Sequence, residues 1–150
     1  QKVLVIYEKV LGSSHERTAL GLSNLATTYA KLGQRKKALP LFERALTIFE
    51  NSLGNQHPDT AVAMNNLADT HMALAQYEKA LPLYKRSSEI FGKTLGPVHP
   101  NTALSIGNLA ENHGAMANFD EALPLQIRAL KINEQTIGAA HPRTAQALIG

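Results

Sequence analysis

A nine-residue phrase recurs every 42 residues along this sequence and limits the folds that the chain can adopt. Residues 53–61 read LGNQHPDTA, and variants of this phrase begin at residues 11, 95 and 137. Self-similarity with a period of about 20–50 residues is typical of repeat proteins, in which each repeat packs on its neighbours. The same spacing separates the asparagines Asn24, Asn66 and Asn108. We therefore expect a repeat array.

Each repeat contains two helical patterns. In the middle repeat the first spans about 58–74, and its apolar residues recur at three- and four-residue steps, so they share one helix face. The second spans about 78–94. The linker of about three residues is short enough to force an antiparallel hairpin. The predicted fold class is therefore all-α, an α-solenoid of antiparallel helix hairpins.

The recurring phrase separates one hairpin from the next. Gly54 suits the end of a helix, because glycine adopts the left-handed backbone conformation without steric cost. Pro58 suits the first helical turn, where a missing N–H is no loss. Asp59 adds a negative charge near the positive end of the helix dipole. The phrase thus predicts a helix end, a turn and a helix start.

The phrase also carries a histidine in each copy, which raises the question of a metal site. Equivalent positions on successive repeats lie about 10 Å apart, the spacing of packed helices. A single zinc ion needs its nitrogen ligands at about 2 Å. A structural role in the turn, without a metal, is therefore predicted for His15, His57, His99 and His141.

Several function classes find no support in the sequence. Cysteine is absent, which removes thiolate chemistry and is consistent with a cytoplasmic location. No apolar run approaches the roughly 18 residues of a membrane span. The GKT at residues 92–94 resembles the end of a phosphate loop, but Ser87 stands where the first glycine belongs. We predict a protein that is not an enzyme and that binds no cofactor and no membrane.

Basic residues concentrate towards the N-terminus. Residues 1–54 hold eight Lys and Arg against four Asp and Glu, with the densest point at Arg35 to Lys37. A nucleic-acid site would need a longer basic stripe with aromatic neighbours, and only 5% of the residues are aromatic. These charges are interpreted as a solvated helix face, with no nucleic-acid partner.

The residues at the helix contacts resemble those of tetratricopeptide repeats. The middle repeat matches the spacing of the family at Leu67, Ala68, His71, Ala75, Tyr77, Ala80, Tyr84 and Ser87, and the first repeat keeps the family's Tyr29 and Gly33. The usual period is about 34 residues, and the 42-residue form is similar to that of kinesin light chains. HEAT and armadillo arrays have periods of about 40–47 residues but lack this spacing.

The resemblance implies a right-handed superhelix formed by a single array over residues 1–150. Three full repeats are expected at about 16–54, 58–96 and 100–138, with partial helices at 1–12 and 142–150. His71 and His113 replace the tyrosine of the family, and Gln126 replaces an aromatic residue. Ala75 and Ala117 replace the turn glycine, which costs about 1 kcal/mol each if their backbone is left-handed. The third repeat is expected to pack less tightly than the first.

The resemblance also implies that the first helices line a concave groove that binds a ligand. The expected groove residues face neither the core nor the partner helix. They are Leu20, Ser23, Asn24, Thr27 and Lys31 in the first repeat, Val62, Asn65, Asn66 and Asp69 in the second, and Leu104, Gly107, Asn108 and Glu111 in the third.

The repeated asparagine has two interpretations. Asparagine is a poor helix former, and its amide can both donate to and accept from a peptide backbone. Asn24, Asn66 and Asn108 are therefore candidates for three contacts along an extended peptide. In the alternative, they form hydrogen bonds between neighbouring repeats.

The predicted function is a non-catalytic scaffold that binds an extended peptide or a partner helix in the groove. The alternative is a sensor or autoinhibitory arm of a larger signalling ATPase, in which the array contacts its own protein. Lys31 in the first repeat, against Asp69 and Glu111 in the next two, predicts that a ligand places its acidic part at the first repeat.

Both ends of the sequence fall inside a repeat. Residues 1–12 align with the last part of a second helix, and residues 142–150 align with the first half of a first helix. We expect either a longer array or end-to-end association of molecules, because some apolar residues would otherwise lack neighbours. These are Val3, Leu4, Ile6, Leu148 and Ile149.

Overall fold

Helices make up every regular element in the part of the chain that the structure describes. The structure is a computed structural model that describes residues 2–137, with the backbone alone for residues 2–5, 8 and 137. The seven helices of this part are α1 (Lys2–Leu11), α2 (Glu16–Lys31), α3 (Arg35–Leu53), α4 (Pro58–Met72), α5 (Tyr77–Thr94), α6 (Pro100–Ala115) and α7 (Phe119–Ile137). The predicted all-α class is confirmed.

The helix starts keep the 42-residue period, since α3, α5 and α7 begin at Arg35, Tyr77 and Phe119. In the middle repeat, α4 ends at Met72, two residues before the predicted end, and α5 begins one residue before the predicted start. Among the apolar residues expected to lack neighbours, Ile6 is 56% exposed. The other four side chains, and the partial helix predicted at 142–150, lie outside the described residues.

The chain divides into two compact units with their boundary between Gln76 and Tyr77. In unit 1, α1 packs against α2, α2 against α3 and α3 against α4, and α2 also contacts α4. Alanines occupy many of the fully buried positions, which lets the helix axes approach closely. The side chains with the least exposure in this core include Ala19, Leu22, Ala26, Ala38, Phe42, Ala45, Ala61, Met64 and Ala68.

In unit 2, α6 packs between α5 and α7. Its core includes Ala103, Ile106, Ala129 and Ile132, against which Leu125 packs. Gln126 is half-buried, whereas its equivalents Phe42 and Tyr84 are 3% and 2% exposed. An amide in this position must keep its hydrogen bonds, so it cannot enter the core as an aromatic ring does.

The recurring loop is held by the same hydrogen bonds in each described copy. In the middle copy the buried hydroxyl of Thr60 donates to the carbonyl of Gly54 at 2.9 Å. Gly54 has a φ of 89°, a backbone conformation that favours glycine. Its equivalents Gly12 and Gly96 accept from Thr18 and Thr102 at 2.8 and 2.9 Å. The loop therefore holds the start of the first helix of each repeat against the end of the second helix of the preceding repeat.

The histidine of the loop is the N-cap of the following helix. Nδ1 of His57 accepts a hydrogen bond from the backbone N–H of Asp59 at 3.2 Å. His15 and His99 accept in the same way at 3.1 Å each. The structural role predicted for these three histidines is confirmed, and His141 lies outside the described residues. Its form was not foreseen, because Ser, Thr, Asp and Asn are the usual capping residues.

The first helix of each repeat ends in a left-handed residue. Gly33 has a φ of 74°, and Ala75 and Ala117 have φ of 56° and 59°. The next N–H then donates back five residues, as from Gln34 to the carbonyl of Tyr29 at 2.9 Å, which is a Schellman motif. The condition stated for Ala75 and Ala117 is thus met, and in both residues the Cβ opposes the left-handed conformation.

The same helix end shows how the third repeat departs from the second. Nδ1 of His71 lies 2.7 Å from Oε1 of Gln76, so the buried imidazole has a partner. In the third repeat the corresponding pair is His113 and Asn118, and Nδ1 of His113 is buried without a hydrogen-bond partner. Asparagine is one methylene shorter than glutamine, which explains why it does not make this contact.

We expect Ala75→Gly and Ala117→Gly each to raise the free energy of unfolding by about 1 kcal/mol, because glycine removes the steric cost of the left-handed conformation. Gly33→Ala is the matched control and is expected to lower stability by a similar amount. Urea unfolding followed by circular dichroism measures all three. Equal stability of Ala75→Gly and the parent chain would contradict the strain.

We expect His57→Ala to lower the free energy of unfolding by about 1 kcal/mol, since the N–H of Asp59 loses its acceptor. His57→Asn is the matched control, because the asparagine side chain also caps helices and should restore most of the loss. The same urea titration decides the outcome. A loss of equal size in both variants would show that the imidazole stabilises the loop by packing rather than by capping.

Candidate groove between α2 and α4

The candidate site lies in unit 1, between the first helices of two successive repeats. A cavity of about 540 Å³, called here the large cavity, opens between α2 and α4 with part of α3 behind it. From α2 it is lined by Glu16, Arg17, Leu20, Ser23, Asn24 and Thr27, from α3 by Phe49 and Leu53, and from α4 by Asp59, Val62, Ala63 and Asn66.

Helical spacing explains why these side chains converge. On α2, Leu20, Asn24 and Thr27 recur at steps of four and three residues, so they share one face of the helix. The opposite side of α2 carries the fully buried Ala19 and Leu22 of the core. The pattern that buries one face of α2 therefore leaves the other facing α4.

A second cavity of about 260 Å³, called here the small cavity, adjoins the large one. Thr27 and Asn66 line both cavities. The small cavity is further lined by Ala30, Lys31, Arg35, Phe42, Asp69, Thr70 and Ala73. The two adjacent cavities along α2 and α4 are together called here the α2–α4 groove.

Apolar contact in the large cavity comes from two side chains that remain open to solvent. Leu20 is 53% exposed and Val62 is 42% exposed. Asn24 is exposed and Asn66 is half-buried beside them. Asn24 and Asn66 occupy the same register of their repeats, so the structure brings two of the three asparagines to one cavity.

The buried groove candidates Ser23 and Asn65 differ from the expectation. Each is 8% exposed, and Asn65 lines neither the large nor the small cavity. Asn66, the next residue, is half-buried and lines both cavities. Asn65 belongs to the packed side of α4, whereas Ser23 still reaches the large cavity from its buried position.

The charges of the groove are not separated by repeat as expected. Lys31 of the first repeat and Asp69 of the second line the same small cavity, together with Arg35. Acidic and basic groups also meet in the large cavity, at Glu16, Arg17 and Asp59 in its lining. Neighbouring first helices face each other across the groove, so each cavity collects charges from two repeats.

The third-repeat candidates lie in unit 2, on α6. Leu104 is 50% exposed, Glu111 is exposed and Asn108 is half-buried. Their steps of four and three residues place them on one face of α6. Gly107, between them, contributes no side chain. This face has the same order of residue types as the groove face of α4, with an apolar residue, an asparagine and an acid.

Several groove residues were missed by sequence reasoning. Arg35 was interpreted as part of a solvated basic run, yet it lines the small cavity because the hairpin returns the start of α3 to the groove. Phe49 and Leu53, also on α3, contribute to the large cavity. No repeat-wide pattern distinguishes them, because a second helix shows its groove contacts only once the hairpins have packed.

Two further observations bear on the chemistry of residues 2–137. Within this part of the chain, no group of three or more His, Cys, Asp or Glu side chains is placed to hold a metal ion. No described helix is both long enough and apolar enough to cross a membrane.

Comparison with known families gives a match over most of the chain. The family model described as tetratricopeptide repeat matches residues 1–51, 18–93 and 59–135. A comparison with curated proteins gives no match.

Solved structures that resemble the chain include two with related sequences. A variant of the nearly identical TPR-like repeats of a Podosopora anserina putative kinesin light chain has a TM-score of 0.84 and 29% identity, covering 97% of this chain and 69% of that one. BtubC (BKLC) from P. vanneervenii has a TM-score of 0.81 and 27% identity, covering 88% and 53%.

A third structure is similar in fold alone. The N-terminal domain of stress-induced protein-1 from C. elegans has a TM-score of 0.64 and 13% identity, covering 87% of this chain and 91% of that domain. The three overlapping family matches, with the helix hairpins and the 42-residue period, lead to one conclusion: the chain belongs to the tetratricopeptide repeat family, and its repeats are similar to those of kinesin light chain-like proteins.

Proposed function

We propose that this chain is a non-catalytic interaction module that binds an extended peptide in the α2–α4 groove. Tetratricopeptide repeats are generally protein–protein interaction scaffolds. The observation that carries the proposal is that Asn24 and Asn66, at equivalent positions of two repeats, line one cavity. Each amide can donate to one peptide group and accept from another, as a bound main chain requires.

The dimensions of the groove suit an extended peptide. Neighbouring first helices lie about 10 Å apart, and an extended chain advances about 3.3 Å per residue. Successive asparagines would therefore meet the ligand backbone about every third residue. Contacts to the main chain tolerate many ligand sequences, so selectivity falls to the side chains around them.

Hydrophobic contact and charge supply that selectivity. The exposed parts of Leu20 and Val62 offer apolar surface to a ligand side chain in the large cavity. Lys31 and Arg35 offer cations to an acidic ligand group at the small cavity, with Asp69 beside them. Such charges fix the orientation and association rate of a ligand more than its affinity. On α6, Leu104, Asn108 and Glu111 are proposed to form a corresponding surface of unit 2.

The proposed partner is a protein or peptide, rather than nucleic acid or a membrane, and the proposed location is the cytoplasm. The support for the location is compositional, because the sequence contains no cysteine and disulfides are rare in reducing compartments. The support for the partner is the mixed charge of the groove, since nucleic-acid sites are strongly basic.

We expect Asn66→Ala to weaken binding of a peptide selected on this chain by about 0.5–1.5 kcal/mol, the net value of a neutral hydrogen bond. The melting temperature of the Asn66→Ala variant should change little if the amide binds the ligand and not a neighbouring repeat. Asn65→Ala is the matched control. Because Asn65 is buried, its substitution is expected to lower the melting temperature and to leave peptide affinity unchanged. Titration calorimetry and thermal melts measure both effects. If the melting temperature of Asn66→Ala fell by several degrees while its peptide affinity stayed the same, the proposed contact between Asn66 and the ligand would be wrong.

We expect Lys31→Glu to weaken binding of an acidic peptide by roughly 0.2–1 kcal/mol, the usual value of an exposed ion pair. The affinity for this peptide should also depend less on salt concentration. Lys36→Glu makes the same charge change at an exposed residue that lines neither cavity, so its effect should be smaller. Fluorescence titrations at low and high salt compare the two variants. If the peptide affinities of the two variants changed equally with salt concentration, Lys31 would not be part of the binding site.

A further inference from the structure

Ser23 breaks a rule that the other helical serines and threonines of the described residues obey. Each of the others donates its hydroxyl to a backbone carbonyl, as Thr27 does to the carbonyl of Ser23 at 2.9 Å. Oγ of Ser23 has no hydrogen-bond partner. Since the carbonyls of α2 are within reach of a serine on the same helix, the missing bond marks this hydroxyl as different.

The position of this hydroxyl makes its isolation costly. Ser23 is 8% exposed, and its Oγ is buried. Buried polar side chains nearly always have a partner, so an unpaired one needs an explanation. Ser23 also lines the large cavity, as do the apolar Leu20 on α2 and Val62 on α4. Oγ itself is closed to water, so a ligand in the large cavity supplies the missing partner when the serine side chain turns towards it or a neighbouring lining residue moves aside.

The neutral polar residues that line the cavity beside Ser23 differ from it in exposure or in hydrogen bonding. Asn24 is exposed and Asn66 is half-buried, so both lie where a ligand main chain can pass. The hydroxyl of Thr27 is already committed to the carbonyl of Ser23. Ser23 is the more deeply buried group, where the end of a ligand side chain would come to rest.

We propose that Ser23 selects the ligand side chain that fills the large cavity, and that this side chain is neutral, with an apolar body and a hydroxyl or amide near its end. The inference rests on the proposed peptide-binding function. A hydrocarbon side chain would leave the serine unpaired in the complex, and sites built around such a group reject ligands that lack the matching atom. The charged residues that line the cavity, Glu16, Arg17 and Asp59, are exposed to solvent. A charged ligand group beside the buried Ser23 would lose its water against a neutral hydroxyl, which is unfavourable.

The selection is local to the first repeat. The equivalent positions carry Asn65, which is buried away from both cavities, and Gly107, which has no side chain. The repeats therefore share the asparagine at the next residue but differ at the neighbouring position. This arrangement assigns main-chain binding to the repeated residue and side-chain choice to the variable one.

Peptide selection tests the inference. Phage-displayed random short peptides are selected separately on the full chain and on Ser23→Ala, and the peptides bound by the parent chain are resynthesised with Thr→Val, Gln→Met or Tyr→Phe at each polar position. One such exchange is expected to weaken binding to the parent chain about 3- to 10-fold, the equivalent of one net hydrogen bond. The same exchange should have little effect on binding to Ser23→Ala, which closes a double-mutant cycle.

The outcomes separate the inference from the proposed function. If neither protein selects a binding peptide, the proposed function fails and the inference fails with it. If peptides bind but every polar-to-apolar exchange costs the same on both proteins, the inference alone is overturned.

A stability measurement gives an independent test. Ser105→Ala is the matched control, because Ser105 is equally helical and buried but donates to the carbonyl of Thr102 at 3.0 Å. Without ligand, Ser23→Ala is expected to melt above both the parent chain and Ser105→Ala, since it removes an unpaired polar group. A melting temperature of Ser23→Ala at or below that of Ser105→Ala would show that Ser23 has a structural partner and would overturn the inference.

Discussion

A hydrogen bond from a buried threonine to the carbonyl of a left-handed glycine sets the register in which one hairpin follows another. Thr60 and Gly54 make this bond in the middle copy, and the same bond recurs in the two other described copies. It fixes the distance between the end of one hairpin and the start of the next. Because the histidine cap lies between the two bonded residues in all three copies, helix start and loop geometry are set together. A shift by one residue would rotate the following helix by about 100° and bury its groove face.

This fixed register explains how a repeated surface arises from repeated sequence. Since α2 and α4 begin at equivalent residues, equivalent side chains meet the same groove, and Asn24 and Asn66 line one cavity. Small residues such as Ala19, Ala26, Ala61 and Ala68 keep the opposite faces close packed. The asparagines lower helix propensity slightly, a cost that the packing of each hairpin offsets. Stability thus comes from the alanine-rich face, which leaves the groove face able to vary.

Variation among the repeats falls at a few registers and has local physical consequences. Gly33 ends α2 without strain, whereas Ala75 and Ala117 adopt the same left-handed conformation against their own Cβ atoms. Nδ1 of His71 forms a hydrogen bond with the side chain of Gln76, whereas Nδ1 of His113 has no hydrogen-bond partner. In the groove, Ser23, Asn65 and Gly107 differ at a single register while the next residue remains asparagine. The second and third repeats accumulate imperfect contacts at their helix ends, and the groove differs most beside its repeated asparagine.

The period, the helix ends and the all-α class could be predicted from the sequence, because they depend on local preferences: glycine in a left-handed turn, proline in a first helical turn, and apolar residues at three- and four-residue steps. The groove residues of α2 were implied by the resemblance to tetratricopeptide repeats and not by these local preferences. Three features required the packed helices, because they depend on which faces of neighbouring hairpins oppose each other: the burial of Asn65, the placement of Lys31 and Asp69 in one cavity, and the contribution of Arg35. The unpaired hydroxyl of Ser23 belongs to the same class, since sequence shows a helical serine but not whether its proton has an acceptor.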